Sequence, residues 1–165
     1  MIFWLALGFV ALERVGEMAW ARRNAKRLLA QGARFVREDG MGLIVATHVL
    51  FFVLAILEWC VAPWAGFGWW TALGAVLFVA GDGLRFWAIG SLGERWNTRV
   101  YVLDAPLVAS GPYRRVRHPN YVGVGLVVAG FPLAFGLFAT AGIITLLNLA
   151  AVSRRIRLEE EALGI

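Results

Sequence analysis

Charge is scarce in this sequence. Asp, Glu, Lys and Arg make up only 16% of 165 residues, against 60% hydrophobic, which is more apolar surface than one soluble core of this length can bury. That balance argues against a soluble globular protein and makes lipid the expected solvent. The stretches from Gly42 to Leu57 and from Gly68 to Ala80 contain no Asp, Glu, Lys or Arg at all, as membrane spans do. Cysteine occurs once, at Cys60, so an intramolecular disulfide and a thiolate metal cluster are both excluded. Cys60 itself reads as a small apolar residue, buried or interfacial. His48, alone in its span, does not make a metal site, and none is expected.

Crossing the hydrocarbon takes roughly 20 apolar residues. Met1 to Trp20, Met41 to Pro63 and Trp69 to Gly90 come close to that length. The first has no basic start before its apolar run and no small-residue cleavage site, so it reads as a mature helix rather than a signal peptide. The run from Tyr121 to Val152 is too long for one helix, and Gly130, Pro132 and Gly136 interrupt it. Two short helices, 121–135 and 137–152, joined by a turn around Phe131 to Gly136, account for it. The expectation is an all-α integral membrane protein forming one domain over 1–165, with five segments (1–20, 41–63, 69–90, 121–135 and 137–152), a polar loop at 91–120 and a C-terminal tail at 153–165.

The net charge of +5 does not point to nucleic acid, because the basic residues gather at the ends of the spans instead of along a soluble face. Arg22, Arg23, Lys26, Arg27, Arg34 and Arg37 fall after span one, five more arginines after span three, and Arg154, Arg155 and Arg157 after the hairpin. The excess of Lys and Arg marks these ends as cytoplasmic. The connection from Glu58 to Trp70 has neither Lys nor Arg and is rich in tryptophan, as an outer interfacial anchor would be. The N-terminus is therefore expected outside.

Polar chemistry concentrates between Ser91 and Asn120, a stretch too long to be a mere connection in so small a chain. Its core, GPYRRVRHPNYVG, runs from Gly111 to Gly123. Two X-Pro turns present Tyr113, Arg114, Arg117, His118 and Tyr121. Arg can fork a carboxylate, Tyr can stack on a base, and a helix starting near Asn120 would aim backbone N–H groups at negative charge. A basic loop holding anionic headgroups is the plainer reading of the same residues. The tail carries Arg154, Arg155 and Arg157 before Glu159, Glu160 and Glu161. By itself this is an exposed face with local ion pairs, but the hairpin returns it to the membrane face of the Arg117-His118 loop. Inside the spans, Glu13 and Glu17 lie one turn apart and are candidates for a substrate entrance or a snorkelling helix end. Asp82 and Arg85 read as an internal ion pair. Asn148 and His48 need partners or a cavity.

GPYRRVRHPNYVG, followed by the interrupted apolar hairpin and then RRIRLEEEAL, resembles the isoprenylcysteine carboxyl methyltransferase family. Upstream, the Glu13 to Asn24 pattern and SLGERWNTRV from Ser91 to Val100 resemble a bacterial branch that methylates alkylpyrone and alkylresorcinol lipids. The resemblance implies a five-segment helical enzyme of the bacterial inner membrane that uses S-adenosylmethionine on the cytoplasmic side, with a lipophilic or prenylated acceptor. Carried over by position, it assigns Tyr113, Arg114, Arg117, His118, Pro119, Tyr121, Gly123 and Glu160 to the cofactor. Arg154 or Arg157, with Glu160, would close the site and orient the acceptor. Glu13, Glu17, Asn24, His48, Trp96 and Asn148 would line the acceptor path.

Methyl transfer from a sulfonium is an in-line displacement that needs alignment and exclusion of water. A carboxylate acceptor is already ionised, whereas a phenol or enol calls for a base, and His118 or a Glu is on hand. Two alternatives stay open at this stage: an NADPH-dependent membrane reductase of the sterol type, and a non-enzymatic scaffold holding membrane lipid.

Overall fold

The computed structural model describes residues 1–37, 40–62 and 66–165. Pro63, the expected end of span two, and Trp64 of the tryptophan-rich connection lie outside the described residues. The chain is mostly helical. Helix α1 spans Ile2–Ala30, α2 Met41–Val61, α3 Trp69–Leu92, α4 Pro119–Ala134 and α5 Phe138–Leu163. Two-residue strands β1 (Arg34–Phe35) and β2 (Tyr101–Val102) pair antiparallel, Arg34 opposite Val102 and Phe35 opposite Tyr101. The all-α expectation omitted this clasp, because two residues are too short to leave a periodic signal.

Two helical stretches, Met41–Val61 and Trp69–Arg95, are long and apolar enough to cross a membrane, with mean hydropathies of 2.3 and 1.5. On α2 only Thr47, Phe51 and Ala55 are buried. These three sit four residues apart on one stripe, while Leu43, Val45, Val49, Val53 and Leu57 face outward, which suits lipid and not water. Val76 and Val79 of α3, Leu5 and Leu12 of α1 and Leu146 of α5 are likewise exposed.

Three boundaries differ from the sequence expectation. Helix α1 runs ten residues beyond Trp20, so Arg22, Arg23, Lys26 and Arg27 stand on its final turns and not in a loop. Nothing in that run breaks a helix, and only Gly32, at φ +86°, turns the chain. Second, α4 continues through Pro132 to Ala134, and the turn falls at 135–137. Gly136 there adopts φ +71°, and the Leu137 N–H bonds back to the Pro132 carbonyl at 2.9 Å. Third, the expected tail is no separate element, since α5 continues unbroken to Leu163.

Helices α3 and α4 pack antiparallel with their backbones in contact along a glycine seam. Gly74 and Gly81 on α3 face Gly130 and Gly123 on α4. A Cβ at Gly74 would lie 2.2 Å from the Ala134 nitrogen, and one at Gly130 would lie 2.5 Å from the Phe78 nitrogen. The seven-residue spacing on each helix keeps the glycines on one face. Small residues allow the close approach that drives helix association in lipid, where apolar burial offers little gain. The core on the other side of α4 joins Phe3, Leu7 and Val10 of α1, Phe51 and Ala55 of α2, and Val124, Val128 and Phe131 of α4. Glu58, at the end of α2, caps α5 by accepting bonds from the N–H groups of Ala139 (3.1 Å) and Thr140 (2.7 Å) and from the Thr140 hydroxyl (2.6 Å).

Candidate active site

The stretch from Gly93 to Ser110 is pinned to the helix ends. The Asn24 amide of α1 donates to the carbonyls of Gly93 (3.0 Å) and Trp96 (2.7 Å), Arg27 pairs with Glu94, and the Asn97 amide donates to the Ala21 carbonyl at 2.8 Å. On the far side, Val36 N–H bonds to the Val100 carbonyl at 3.0 Å, extending the β1–β2 clasp. Gly111 then packs against α3 at φ +57°, where a Cβ would strike the Ser91 hydroxyl at 2.1 Å. The glycine of GPY thus serves a positive φ and a close approach together.

Between this stretch, the start of α4 and the end of α5 lies a cavity of about 440 Å³, within the usual range for small-molecule sites. Leu28, Leu92, Trp96, Leu103, Pro106 and Leu107 line it with apolar surface, interleaved with Arg95, Asn97 and Arg99 of the same stretch. Tyr113, Arg117, His118, Asn120, Tyr121, Arg155 and Glu159 add a polar lining.

The polar lining is a connected network built by two helices. Pro119 occupies the first turn of α4, where a proline costs no hydrogen bond, and this sets His118 and Tyr121 one turn apart with rings stacked at 5.6 Å. From α5, Arg155 Nε donates to the Tyr121 hydroxyl at 3.0 Å, and that hydroxyl donates to Glu159 at 2.5 Å. Arg155 Nη2 also donates to the Thr98 carbonyl at 3.0 Å, tying the loop to the same network. Glu160 lies 3.1 Å from His118 Nε2 and 3.7 Å from Arg117. Burial, and then the negative charge of Glu159, raise the Tyr113 phenol above its ordinary range.

Of the residues assigned to the cofactor, Tyr113, Arg117, His118 and Tyr121 line the cavity. Glu160 stands behind His118. Pro119 shapes the helix start, and Arg114 is exposed. Gly123 lies in the glycine seam, where a Cβ would come 2.4 Å from Arg85 Cγ. Arg154 and Arg157 are exposed and outside the lining, while Arg155 between them is 3% exposed and within it. Arg155 and Glu159 were legible in principle. Continuing the helical period of Asn148 and Val152 through the end of α5 selects 155 and 159, whereas a tail separate from the hairpin hides that phase.

Trp96 lines the cavity, and Asn24 moors the loop. Glu17 pairs with Arg85 and, at 3.1 Å, with Arg14, while Asp82 pairs with Arg85 at 2.9 Å. Glu13 is buried beside them, 3.8 Å from Arg14. His48 Nδ1 bonds the Ile44 carbonyl at 2.8 Å, and the ring borders a void of about 10 Å³ with Arg14 and Arg85. Asn148 is buried and lines neither space. Cys60 is exposed. Among the described residues no group of His, Cys, Asp and Glu could hold a metal ion.

An RHPNY turn and a glutamate-bearing C-terminal helix share a cavity at the ends of apolar helices, the arrangement of a candidate membrane-enzyme site. Residues 72–165 match the model of the isoprenylcysteine carboxyl methyltransferase (ICMT) family, and the chain belongs to that family. It is 35% identical over 163 residues to the uncharacterized protein YpbQ of Bacillus subtilis, covering 98% of this chain and 96% of that one. It is 27% identical over 147 residues to an uncharacterized protein of Haemophilus influenzae, covering 86% and 83%. No solved structure matches. Membership makes the chain a membrane methyltransferase, of a family that in general uses S-adenosylmethionine.

Proposed function

We propose that the cavity binds S-adenosylmethionine and that the chain transfers its methyl group to an oxygen of a lipophilic or prenylated substrate in the membrane. The observation that carries this reading is the Arg155–Tyr121–Glu159 network, which joins the RHPNY turn and α5 into one lining of a cavity that also carries apolar surface from Leu92, Trp96, Leu103 and Leu107.

The residues present fit the donor. Arg117, 76% exposed at its side chain and held only by a 3.7 Å contact with Glu160, can turn onto a carboxylate. Trp96 and Tyr113 offer ring faces to a base, and Glu159 places negative charge where a sulfonium and an ammonium would lie. The Asn120 Oδ1 is sealed from solvent without a hydrogen-bond partner, a cost that an N–H of the ligand would remove. When bound, S-adenosylmethionine supplies an electrophilic methyl group. The chain's part is to hold donor and acceptor in line and to keep water out. Trp96, Leu103, Pro106 and Leu107 exclude water, and Arg155 holds the Tyr121 hydroxyl in place.

In this reading α1, α4 and α5 join α2 and α3 as membrane segments, five in all. The N-terminus lies outside a bacterial inner membrane and the cavity on the cytoplasmic side, where the basic residues gather. The upstream resemblance supports acceptors of the alkylpyrone and alkylresorcinol kind.

Calorimetry on detergent-purified protein tests the reading. S-adenosylmethionine should bind saturably, Arg117→Ala and Glu159→Gln should each weaken it at least about tenfold, as losing a charge-assisted contact does, and NADPH should not compete. Binding of NADPH alone would transfer the site to a reductase. Binding of neither would leave a lipid-holding scaffold.

A further inference from the structure

Away from the cavity, α1 and α3 bury a second group of charges. Glu13, Arg14 and Glu17 of α1 meet Asp82 and Arg85 of α3, with side chains between 2% and 18% exposed. Arg85 Nη1 donates to Asp82 Oδ1 at 2.9 Å, and its Nη2 pairs with Glu17. Glu17 also lies 3.1 Å from Arg14. Three carboxylates against two guanidiniums leave one negative charge over. In a bundle whose outer faces suit lipid, such a charge is costly unless it is neutralised.

Within this group, Glu13 is the carboxyl that no cation bonds among the described residues. Arg14 Nη2 stands 3.8 Å from it, too far for a hydrogen bond. Both Glu13 oxygens are sealed from solvent with no hydrogen-bond partner among the described residues, and so is Asp82 Oδ2. After burial itself, the strongest influence on Glu13 is the Asp82 carboxylate, ahead of Arg14, Arg85 and Glu17, which puts the two acids near each other. Two carboxylates that meet in a sealed site do not both keep their charge. A water molecule or a metal ion would need room beside the orphaned oxygens, and atoms sealed this completely have none. The small void nearby is bordered by Arg14, His48 and Arg85 among valines and phenylalanines, and by neither acid. A proton needs no room.

We propose that Glu13 is a neutral carboxylic acid at neutral pH and donates its O–H to Asp82 Oδ2, so that α1 and α3 together form a proton-binding site inside the membrane. Arg85 decides which acid keeps the proton, because its 2.9 Å bond holds Asp82 ionised. His48 of α2 does not take it. Its Nδ1 already faces the Ile44 carbonyl at 2.8 Å, and a charged ring would join two other cations, Arg14 and Arg85, around the void. From α4 only Val124, Val127 and Val128 reach that void. With one proton held, two carboxylates balance two guanidiniums. The face of α1 that carries Glu13 and Glu17 continues through Ala21, Asn24 and Leu28. The balance therefore seats the helix whose Asn24 moors the loop and whose Leu28 lines the cavity.

Infrared spectra of the full chain in nanodiscs, with no ligand added, read the proton directly. At neutral pH the difference between wild type and Glu13→Gln should show the loss of a protonated carboxyl's carbonyl stretch and no loss of an ionised carboxylate. Carbon-13 labelling of the glutamate side chains in wild type should shift that same stretch. Gln has the shape of a protonated Glu and donates from its amide, so the thermal unfolding midpoint of Glu13→Gln should lie within about 3 °C of wild type. Loss of a carboxylate band in the difference spectrum would overturn the proposal. So would a larger fall in the midpoint, the result of breaking a buried ion pair, or a stretch that glutamate labelling leaves unmoved, which would put the proton on aspartate. Wild type with no protonated-carboxyl band at neutral pH would overturn it without recourse to any variant.

Discussion

At the scale of single residues, consequence follows burial more than charge. Arg155 is nearly sealed and serves Tyr121, Glu159 and Thr98 together. Arg155→Met should therefore cost about 1–3 kcal/mol, because the Thr98 carbonyl and the Tyr121 hydroxyl lose a buried donor. Arg154→Ala, one residue away and exposed, should stay within about 0.5 kcal/mol. Thermal unfolding in detergent compares the two. Gly123 carries a different burden. Adding its missing methyl would bring a carbon within 2.4 Å of Arg85 Cγ and 2.7 Å of the Gly81 carbonyl. Gly123→Ala should thus destabilise by about 1–3 kcal/mol through overpacking, a loss visible in the unfolding midpoint before any ligand is added. Tyr113 adds a pH dependence. Its phenol is raised above the ordinary 10.0, so the neutral form is favoured by folding. The stability it contributes is complete below pH 10 and declines as pH rises beyond it. Tyr113→Phe should flatten the alkaline limb of the unfolding curve and leave the neutral region unchanged.

Among the elements, two contacts hold the bundle where lipid offers little hydrophobic gain. The first is the glycine seam of α3 and α4. The second is the charge cluster between α1 and α3, where Glu17 meets Arg85 and Arg14, and Asp82 meets Arg85. Charges in such surroundings are tolerable only when paired. Arg85→Met should therefore destabilise strongly, and the double variant Glu17→Gln/Arg85→Met should recover part of the loss in a double-mutant cycle. Recovery of nothing would mean that the pair contributes no coupling. Glu58 acts at a different joint, as the cap of α5. Because α5 also carries Arg155 and Glu159, Glu58→Ala should cost about 0.5–2 kcal/mol in unfolding at the end of the helix remote from the cavity.

For the molecule as a whole, the charge asymmetry predicts one orientation. Cys60 is the single cysteine, is exposed, and ends α2 on the side away from the basic helix ends. A membrane-impermeant maleimide applied to intact spheroplasts should label Cys60. In a Cys60→Ser background, a cysteine placed at Arg115 should react only after the membrane is opened. The reverse pattern would invert the proposed topology and put the cavity on the wrong side for a cytoplasmic methyl donor.

The helices, the apolar hairpin, the polar stretch before α4 and the family were all legible in the sequence. Apolar length, helix-breaking residues and motif strings are local quantities that survive without a fold. The α1 extension and the continuity of α5 depended on whether a helix persists through a polar run, which neighbours decide by supplying Asn24 and Arg155 with partners. The choice of Arg155 over Arg154 and Arg157, of Glu159 for Tyr121 and Glu160 for His118, and of Gly123 as a packing glycine required the rotation of one helix against another. Rotation is set by the glycine seam and by side-chain packing across segments far apart in the chain. The sequence by itself therefore determined the family and which polar residues gather at the ends of the apolar runs. Only the tertiary structure decided which of them meet, because helical phase is fixed by contacts and not by composition.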